Sequence, residues 1–292
     1  MSITPQTAGQ IKTYFERRQT DVIALVRRLV ELESPSGDAD GSRAVAALLV
    51  GVAREIPSVW TFEKISARES YGEHVRFKAF GGGERGRGIL IVGHTDTVHP
   101  RGSVGERPWR EEGGKFYGPG VFDMKANCVL ALEVLRCCAE LDIKPKRPVT
   151  LLLTCDEESG SANGGRELVE EEARAAECVL VLEPPAPGGR VKTARKGTGY
   201  YEVLVEGRAA HAGLEPEKGV SAVHELARQI LRLHELNEPA RGTTVSVGVI
   251  GGGTHSNVVP AEARAEVDVR FSTLDEAHRI DGLIRASEPF DG

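Results

Sequence analysis

The sequence predicts an α/β protein in two parts: a mostly parallel sheet with flanking helices over residues 1–196, then a smaller ferredoxin-like α+β unit over residues 197–292. Three observations carry this expectation. Apolar runs of the buried-strand kind recur at 89–92, 148–155 and 178–182, with helical segments between them, the alternation expected of a parallel sheet. The last third changes to the order strand, helix, strand, strand, helix, which is ferredoxin-like without its final strand. A length of 292 residues suits about two domains, each able to bury a core.

The bulk numbers exclude several classes. Apolar content of 40% and charged content of 27% fit a soluble globular chain. A net charge of −6 argues against partners such as nucleic acid or an anionic membrane, which call for a basic face. No apolar run approaches the roughly 20 residues of a membrane span. The first residues, MSITPQTAGQIKTYFERRQ, carry charges and no apolar core, so no secretory signal is expected. The five cysteines include no CxxC pair and sit in apolar contexts. Reduced, buried thiols in a cytoplasmic protein are the expectation.

In chain order, residues 8–33 place Ile11, Phe15, Val22, Leu25, Val26, Leu29 and Val30 at helical spacing. Ser34-Pro35-Ser36-Gly37-Asp38 is a turn cluster. A second helix is expected over 42–55, and short strands over 58–65 and 74–80. The Gly-rich stretch 81–88 feeds a strand rather than a helix N-terminus, so it is expected to be a hairpin loop and not a phosphate cradle. Nucleotide binding fails on the same element order.

Ile89-Leu-Ile-Val-Gly-His94-Thr-Asp96 then places a His and an Asp just past a strand's carboxyl end, the edge where open α/β sheets bind ligands. Neutral imidazole suits a metal such as zinc, and a carboxylate two residues on can hold its other N–H. Asp123 precedes a long, mostly apolar helix over 124–141 and by itself reads as an N-cap. The strand at 148–155 ends in Asp156-Glu157-Glu158, acids that repel one another unless something cationic sits among them. An exposed helix over 166–176 follows. The strand at 178–182, expected to be buried, ends in Glu183. Parallel strands put these ends on one edge, where His94, Asp123, Glu157 or Glu158, and Glu183 can converge. The charge count of that set favours two divalent ions.

In the last third, strands are expected over 201–205, 243–250 and 262–271, with helices over 219–236 and 274–287. The stretch 262–271 alternates strictly between apolar and charged residues.

The motifs Gly93-His-Thr-Asp-Thr-Val98, Lys115 to Asn127, Asp156-Glu-Glu158 and Glu183-Pro184 resemble the M20 family of metallopeptidases, within it the glutamate carboxypeptidase and acetylornithine deacetylase group. The resemblance implies a zinc-peptidase-like catalytic domain and a lid that dimerises. It implies two zinc ions per active site, with Co2+ as the alternative metal. His94 and Glu183 would ligate one ion and Glu158 the other, with Asp123 bridging. Asp96 would orient His94, and Glu157 would be the general base. His211 would reach a partner subunit's site to stabilise an oxyanion, while Asn257 and Arg270 would hold the substrate's free carboxylate. The remaining histidines, 74, 99, 224, 234, 255 and 278, are expected not to be ligands.

The resemblance also implies a further C-terminal stretch absent from this chain. It would supply the lid's last strand, the rest of the catalytic domain and a His for the second ion. The expected activity is cleavage of an amide bond beside an amino acid with a free carboxylate, in a small peptide or N-acyl amino acid. The enzyme alternatives are a carboxypeptidase and an N-acyl-amino-acid deacylase. The alternative of another class is a truncated, non-catalytic metal-binding dimerisation protein.

Overall fold

The computed structural model describes residues 4–81 and 86–290. The first unit, Met1–Pro185, runs α1 (Pro5–Glu31), α2 (Ala39–Arg54), β1 (Val59–Ser66), β2 (Glu73–Ala79), β3 (Gly88–His94), α3 (Ser103–Glu106), β4 (Arg110–Glu112), β5 (Lys115–Tyr117), α4 (Ala126–Glu140), β6 (Val149–Thr154), α5 (Gly165–Ala175) and β7 (Ala176–Val181). The second, Ala186–Gly292, runs β8 (Gly197–Glu206), α6 (Ala222–Glu235), β9 (Thr244–Gly252), β10 (Glu262–Phe271) and α7 (Leu274–Arg285).

Helix starts follow local chemistry. The Thr4 hydroxyl accepts the Thr7 N–H with Pro5 in the first turn, and Asp38 accepts the Gly41 N–H at 2.9 Å. Both satisfy donors that a helix's first turn leaves free. The apolar stripe of α1 then buries Val26, Leu29 and Val30 against α2, α4 and the sheet.

The five-stranded sheet has the order β1-β2-β6-β3-β7. Pairs β6–β3 and β3–β7 are parallel, while β1–β2 and β2–β6 are antiparallel. Four of the five strands therefore point the same way, only β2 running against them. Leu151 and Leu153 face the main core with Phe77, Leu132 and Leu49. Leu152 faces the other way with Leu90, against Leu168 and Val169 of α5. Covered faces on both sides explain why β3 and β6 lack polar alternation.

Several expectations are corrected here. The segment between β2 and β3 is not a hairpin: β6 lies between them, because the strand apolar on both faces takes the centre. Residues 82–85 of that segment lie outside the described residues. The strand at 178–182 is not buried: β7 is an edge strand, with Leu180 52% and Val181 61% exposed. Helix α5 packs on its first residue, Ala176, and the rest projects beyond that cover. Cys178 is exposed with it, unlike the buried Cys128, Cys137 and Cys155. Helix α4 exposes Leu130 and Val134 on one side. Between β3 and α4, where no element is expected from the sequence, the chain forms α3 and the hairpin β4–β5.

In the second unit β10 pairs antiparallel with β8 and β9, in the order β8-β10-β9. Ala263, Ala265, Val267 and Val269 are buried beneath α6 and α7, while Arg264 and Arg270 face outward. On α7, Glu276 accepts from Arg279, Thr243 and Arg241. The Arg279 hydrogen bond first, then that of Thr243, holds its carboxyl down at about 2 against burial's opposing effect. A depressed carboxyl stabilises the fold above its ordinary value and loses that contribution as pH falls toward 2. Acid unfolding is thus expected to be less steep between about pH 4.5 and 2 in Glu276→Gln than in the parent, read by circular dichroism.

Candidate metal centre

Strand β3 ends at His94, β6 runs into Asp156-Glu157-Glu158, and β7 runs into Glu183. The three strands are parallel, with His94 beside Thr154 and Val92 beside Val181, so these residues reach one edge. Leu182 extends the ladder, its N–H donating to the Val92 carbonyl at 2.8 Å. The Asn127 side chain donates to the Leu182 carbonyl, which fixes the backbone just before Glu183.

His94 is fully buried and held at each polar atom. Its N–H donates to the Met124 sulfur, and its carbonyl accepts the Cys128 thiol. Ring Nδ1 lies 3.0 Å from the Asp96 carbonyl and 3.4 Å from the Asp96 carboxylate. This leaves Nε2 directed at the acids: Asp123 Oδ1 at 3.2 Å, Glu183 Oε1 at 3.5 Å and Glu157 Oε2 at 4.0 Å. Gly93 lets Met124 close beneath the strand end, since a Cβ there would lie 2.6 Å from Met124 Cε.

Asp123 does not cap the following helix. It lies in a non-helical turn, with φ −120° and ψ 96°, and its carboxylate reaches His94 instead. The turn is tied to the end of α1 by the buried Lys125, whose ammonium donates to the Leu32 carbonyl at 2.5 Å. Burial lowers that ammonium to about 8.

Asp96 organises the acidic loop as well as the imidazole. Its carboxylate accepts the backbone N–H groups of Glu157 and Glu158 at 3.2 and 3.1 Å, and the Ser36 hydroxyl at 2.6 Å. Burial opposes its charge, but the His94 and Ser36 hydrogen bonds outweigh burial and keep its carboxyl below the usual range.

Two sets of ligand-capable atoms result, each within 4.8 Å of one another: His94, Asp123 and Glu158, and His94, Glu157 and Glu183. The second set joins Glu157 to Glu183, a grouping that the family resemblance divides differently. Burial raises the Glu158 carboxyl; the charges of Asp123 and Glu157 add to that, with His94 opposing. Burial would lower His94, but Asp96, Glu183 and Glu157 overcome it and raise the imidazole to about 9. One nitrogen and several crowded carboxylate oxygens form a donor set suited to a divalent metal ion, and a proton on His94 stands where such charge would act.

In the second unit, His211 and Asn257 are neighbours: the Ala212 N–H donates to the Asn257 carbonyl at 3.0 Å. His211 Nδ1 accepts from the N–H groups of Gly213 and Leu214, leaving Nε2 as the ring's remaining polar atom. The guanidinium of Arg270 is held by Asp268 through two bonds of 2.7 and 2.9 Å. A carboxylate arriving at Arg270 must compete with Asp268.

The sequence reading passed over the supports of the site: Ser36, His74, Lys125, Cys128 and Asp156. Lys125 and Asp156 lie within the quoted motifs, yet nothing local marks the five as supports: Ser36, His74, Lys125 and Cys128 act through contacts 34 to 93 residues away, and Asp156 through N–H groups seven and nine residues on. Asp156 is buried behind the loop, accepting the N–H groups of Asn163 and Gly165. Gly165 has no room for a side chain, its Cβ position lying 2.1 Å from Asp156 Oδ1. Gly165→Ala is expected to destabilise by about 1–3 kcal/mol, measured by urea unfolding.

A family model described as a peptidase dimerisation domain matches residues 193–287, and one described as peptidase family M28 matches residues 77–214. Carboxypeptidase G2 of Pseudomonas sp. (strain RS-16) is 34% identical over 259 residues, covering 88% of this chain and 61% of that protein. Acetylornithine deacetylase of Shigella sonnei (strain Ss046) is 32% identical over 230 residues, covering 72% of this chain and 58% of that protein. The chain therefore spans about three-fifths of each relative's length. The crystal structure of aminopeptidase PepT from Bacillus cereus ATCC 10987 matches with a TM-score of 0.76 at 21% identity, over 91% of this chain and 70% of that one, a likeness of fold. With the mainly parallel sheet, the antiparallel second unit and the acidic cluster around His94, these matches place the chain among the M20/M28-type peptidases with a dimerisation domain.

Proposed function

We propose that the chain is a zinc-dependent amide hydrolase acting beside an amino acid with a free carboxylate, in the manner of a carboxypeptidase. The observation that carries this reading is His94 Nε2 at 3.2 Å from Asp123 and 3.5 Å from Glu183, with Glu158 in the same cluster. His94 and Glu183 would hold one ion and Glu158 the other, with Asp123 within reach of both. When bound, the ions polarise the scissile carbonyl and make the attacking water more acidic. Glu157, farther from Nε2 at 4.0 Å, takes the proton of that water and returns it to the leaving nitrogen. Asp96 holds the imidazole tautomer and the backbone of both glutamates.

His211 reaches the site of the partner subunit and donates to the developing oxyanion there. Arg270 exchanges Asp268 for the substrate carboxylate, the fork matching it bidentately, and Asn257 assists. Two chains pair through the second unit, which the dimerisation-domain match supports. A second reading, N-acyl-amino-acid deacylase, is supported by the relative named acetylornithine deacetylase.

The test is metal content together with hydrolysis of N-acyl-glutamates and N-acetylornithine by the purified chain. At least one zinc per chain with preference for the glutamates supports the first reading. Preference for N-acetylornithine supports the second. Metal bound without hydrolysis of either substrate would overturn both and leave the metal-binding dimerisation role, and fewer than one metal per chain would overturn that role as well.

A further inference from the structure

Behind the acidic loop lies a second pair of ionisable side chains that the reaction does not use. His74 on β2 and Asp156 after β6 are both fully buried. His74 Nδ1 accepts the Cys155 N–H at 3.2 Å, at the loop's entry. Its opposite edge faces the loop's exit: a Cβ on Gly164 would lie 3.2 Å from Nε2. Burial pushes the His74 imidazole down, with the Asp156 charge and then the Asn163 backbone opposing, and among the described residues no acceptor meets Nε2 in hydrogen-bond geometry. Asp156 Oδ2 closes the loop on itself through the N–H groups of Asn163 and Gly165, at 2.8 and 3.1 Å. The Asp156 carbonyl takes the Ser161 N–H and the Ser159 hydroxyl. Among the described residues Asp156 Oδ1 has no hydrogen-bond partner, and it lies 4.0 Å from His74 Nδ1.

The loop is therefore gripped from two sides. Asp96 holds the N–H groups of Glu157 and Glu158 from the metal side. His74 and Asp156 hold both ends from the core side. Two buried polar atoms without partners are costly, and an arrangement that keeps them is suited to a placement the apolar core alone does not specify.

We propose that His74 and Asp156 are positioning residues that set the loop carrying Glu157 and Glu158 at the sheet edge. The proposal rests on the roles given above to those two glutamates. Neither residue touches substrate or metal. A leucine at 74 fills the space and loses both contacts. An asparagine keeps an acceptor for the Cys155 N–H but loses the ring edge against Asn163 and Gly164.

The test is residue-resolved amide hydrogen exchange on the metal-free full chain, with zinc binding and steady-state kinetics alongside. In His74→Leu, the amides of Glu157, Glu158, Asn163 and Gly165 should exchange roughly tenfold faster, the effect of about one lost buried hydrogen bond. Ile91 and Leu151, at the sheet centre, should keep their protection. In His74→Asn only Asn163 and Gly165 should accelerate, a result that decides the matter even if the leucine variant does not fold. Zinc binding should weaken in His74→Leu, and kcat should fall with KM unchanged. No acceleration in the loop, or equal acceleration at Ile91 and Leu151, would overturn the proposal. A parent chain that neither binds zinc nor hydrolyses the substrates would instead overturn the roles of Glu157 and Glu158, and the exchange data would still decide what holds the loop.

Discussion

Glu157→Gln is expected to lower kcat for amide hydrolysis by about 10²–10⁴-fold while leaving bound metal unchanged. The amide keeps the side chain's size and its place in the loop, since Asp96 grips the backbone N–H and not the carboxylate. What it removes is the capacity to accept the water's proton at neutral pH. The side chain is half-exposed, with 43% of its surface accessible, so solvent and substrate reach it. A metal ligand at this position would show a different pattern, with metal loss preceding loss of rate. Metal analysis beside steady-state kinetics separates the two. Undiminished kcat would remove Glu157 from the role of base.

Zinc affinity is expected to rise roughly fiftyfold from pH 7 to pH 9. The metal-free imidazole of His94 is raised to about 9, and zinc requires it neutral. At pH 7 the free base is about 1% of the population, and at pH 9 about half. The sign of the stability effect is the reverse. A raised histidine stabilises the metal-free fold fully below its ordinary value of about 6.5, and the contribution disappears as pH climbs through 9. The metal-free chain should therefore lose about 3 kcal/mol between those limits, and saturating zinc should remove most of that loss. Titration calorimetry at several pH values and urea unfolding with and without chelator measure both. Zinc affinity flat across this range would show that His94 is not the proton that metal displaces.

Much of this site was legible in the chain because its parts are local. A strand's apolar run and the polar residue that ends it are contiguous, as in the path from Ile89 to His94 or from Val149 to Glu158. The order of elements then places them on one edge through the general behaviour of parallel sheets. Asp123 was harder: as an isolated Asp before a helix it looks like a cap, and only the turn that follows Gly120 swings its carboxylate to His94. His74 carried no signal at all. Its partners Cys155 and Asn163 are about eighty to ninety residues away in sequence, and its spacing matches no ligand motif.

The same division runs through the fold. Composition, periodicity and caps determined by themselves the long helices, most strand positions, the alternating face of β10 and the family motifs, since each depends on neighbours within one turn or one strand. Strand order was decided only by tertiary packing. It made β6 central because that strand is apolar on both faces, and it left β7 at the edge although its residues are nearly as apolar. Tertiary packing also set the two-sided grip on the acidic loop. Asp96 and Asp156 carry the same side chain, but one faces the metal edge and the other the core, because burial and available N–H donors differ on the two sides of a single loop.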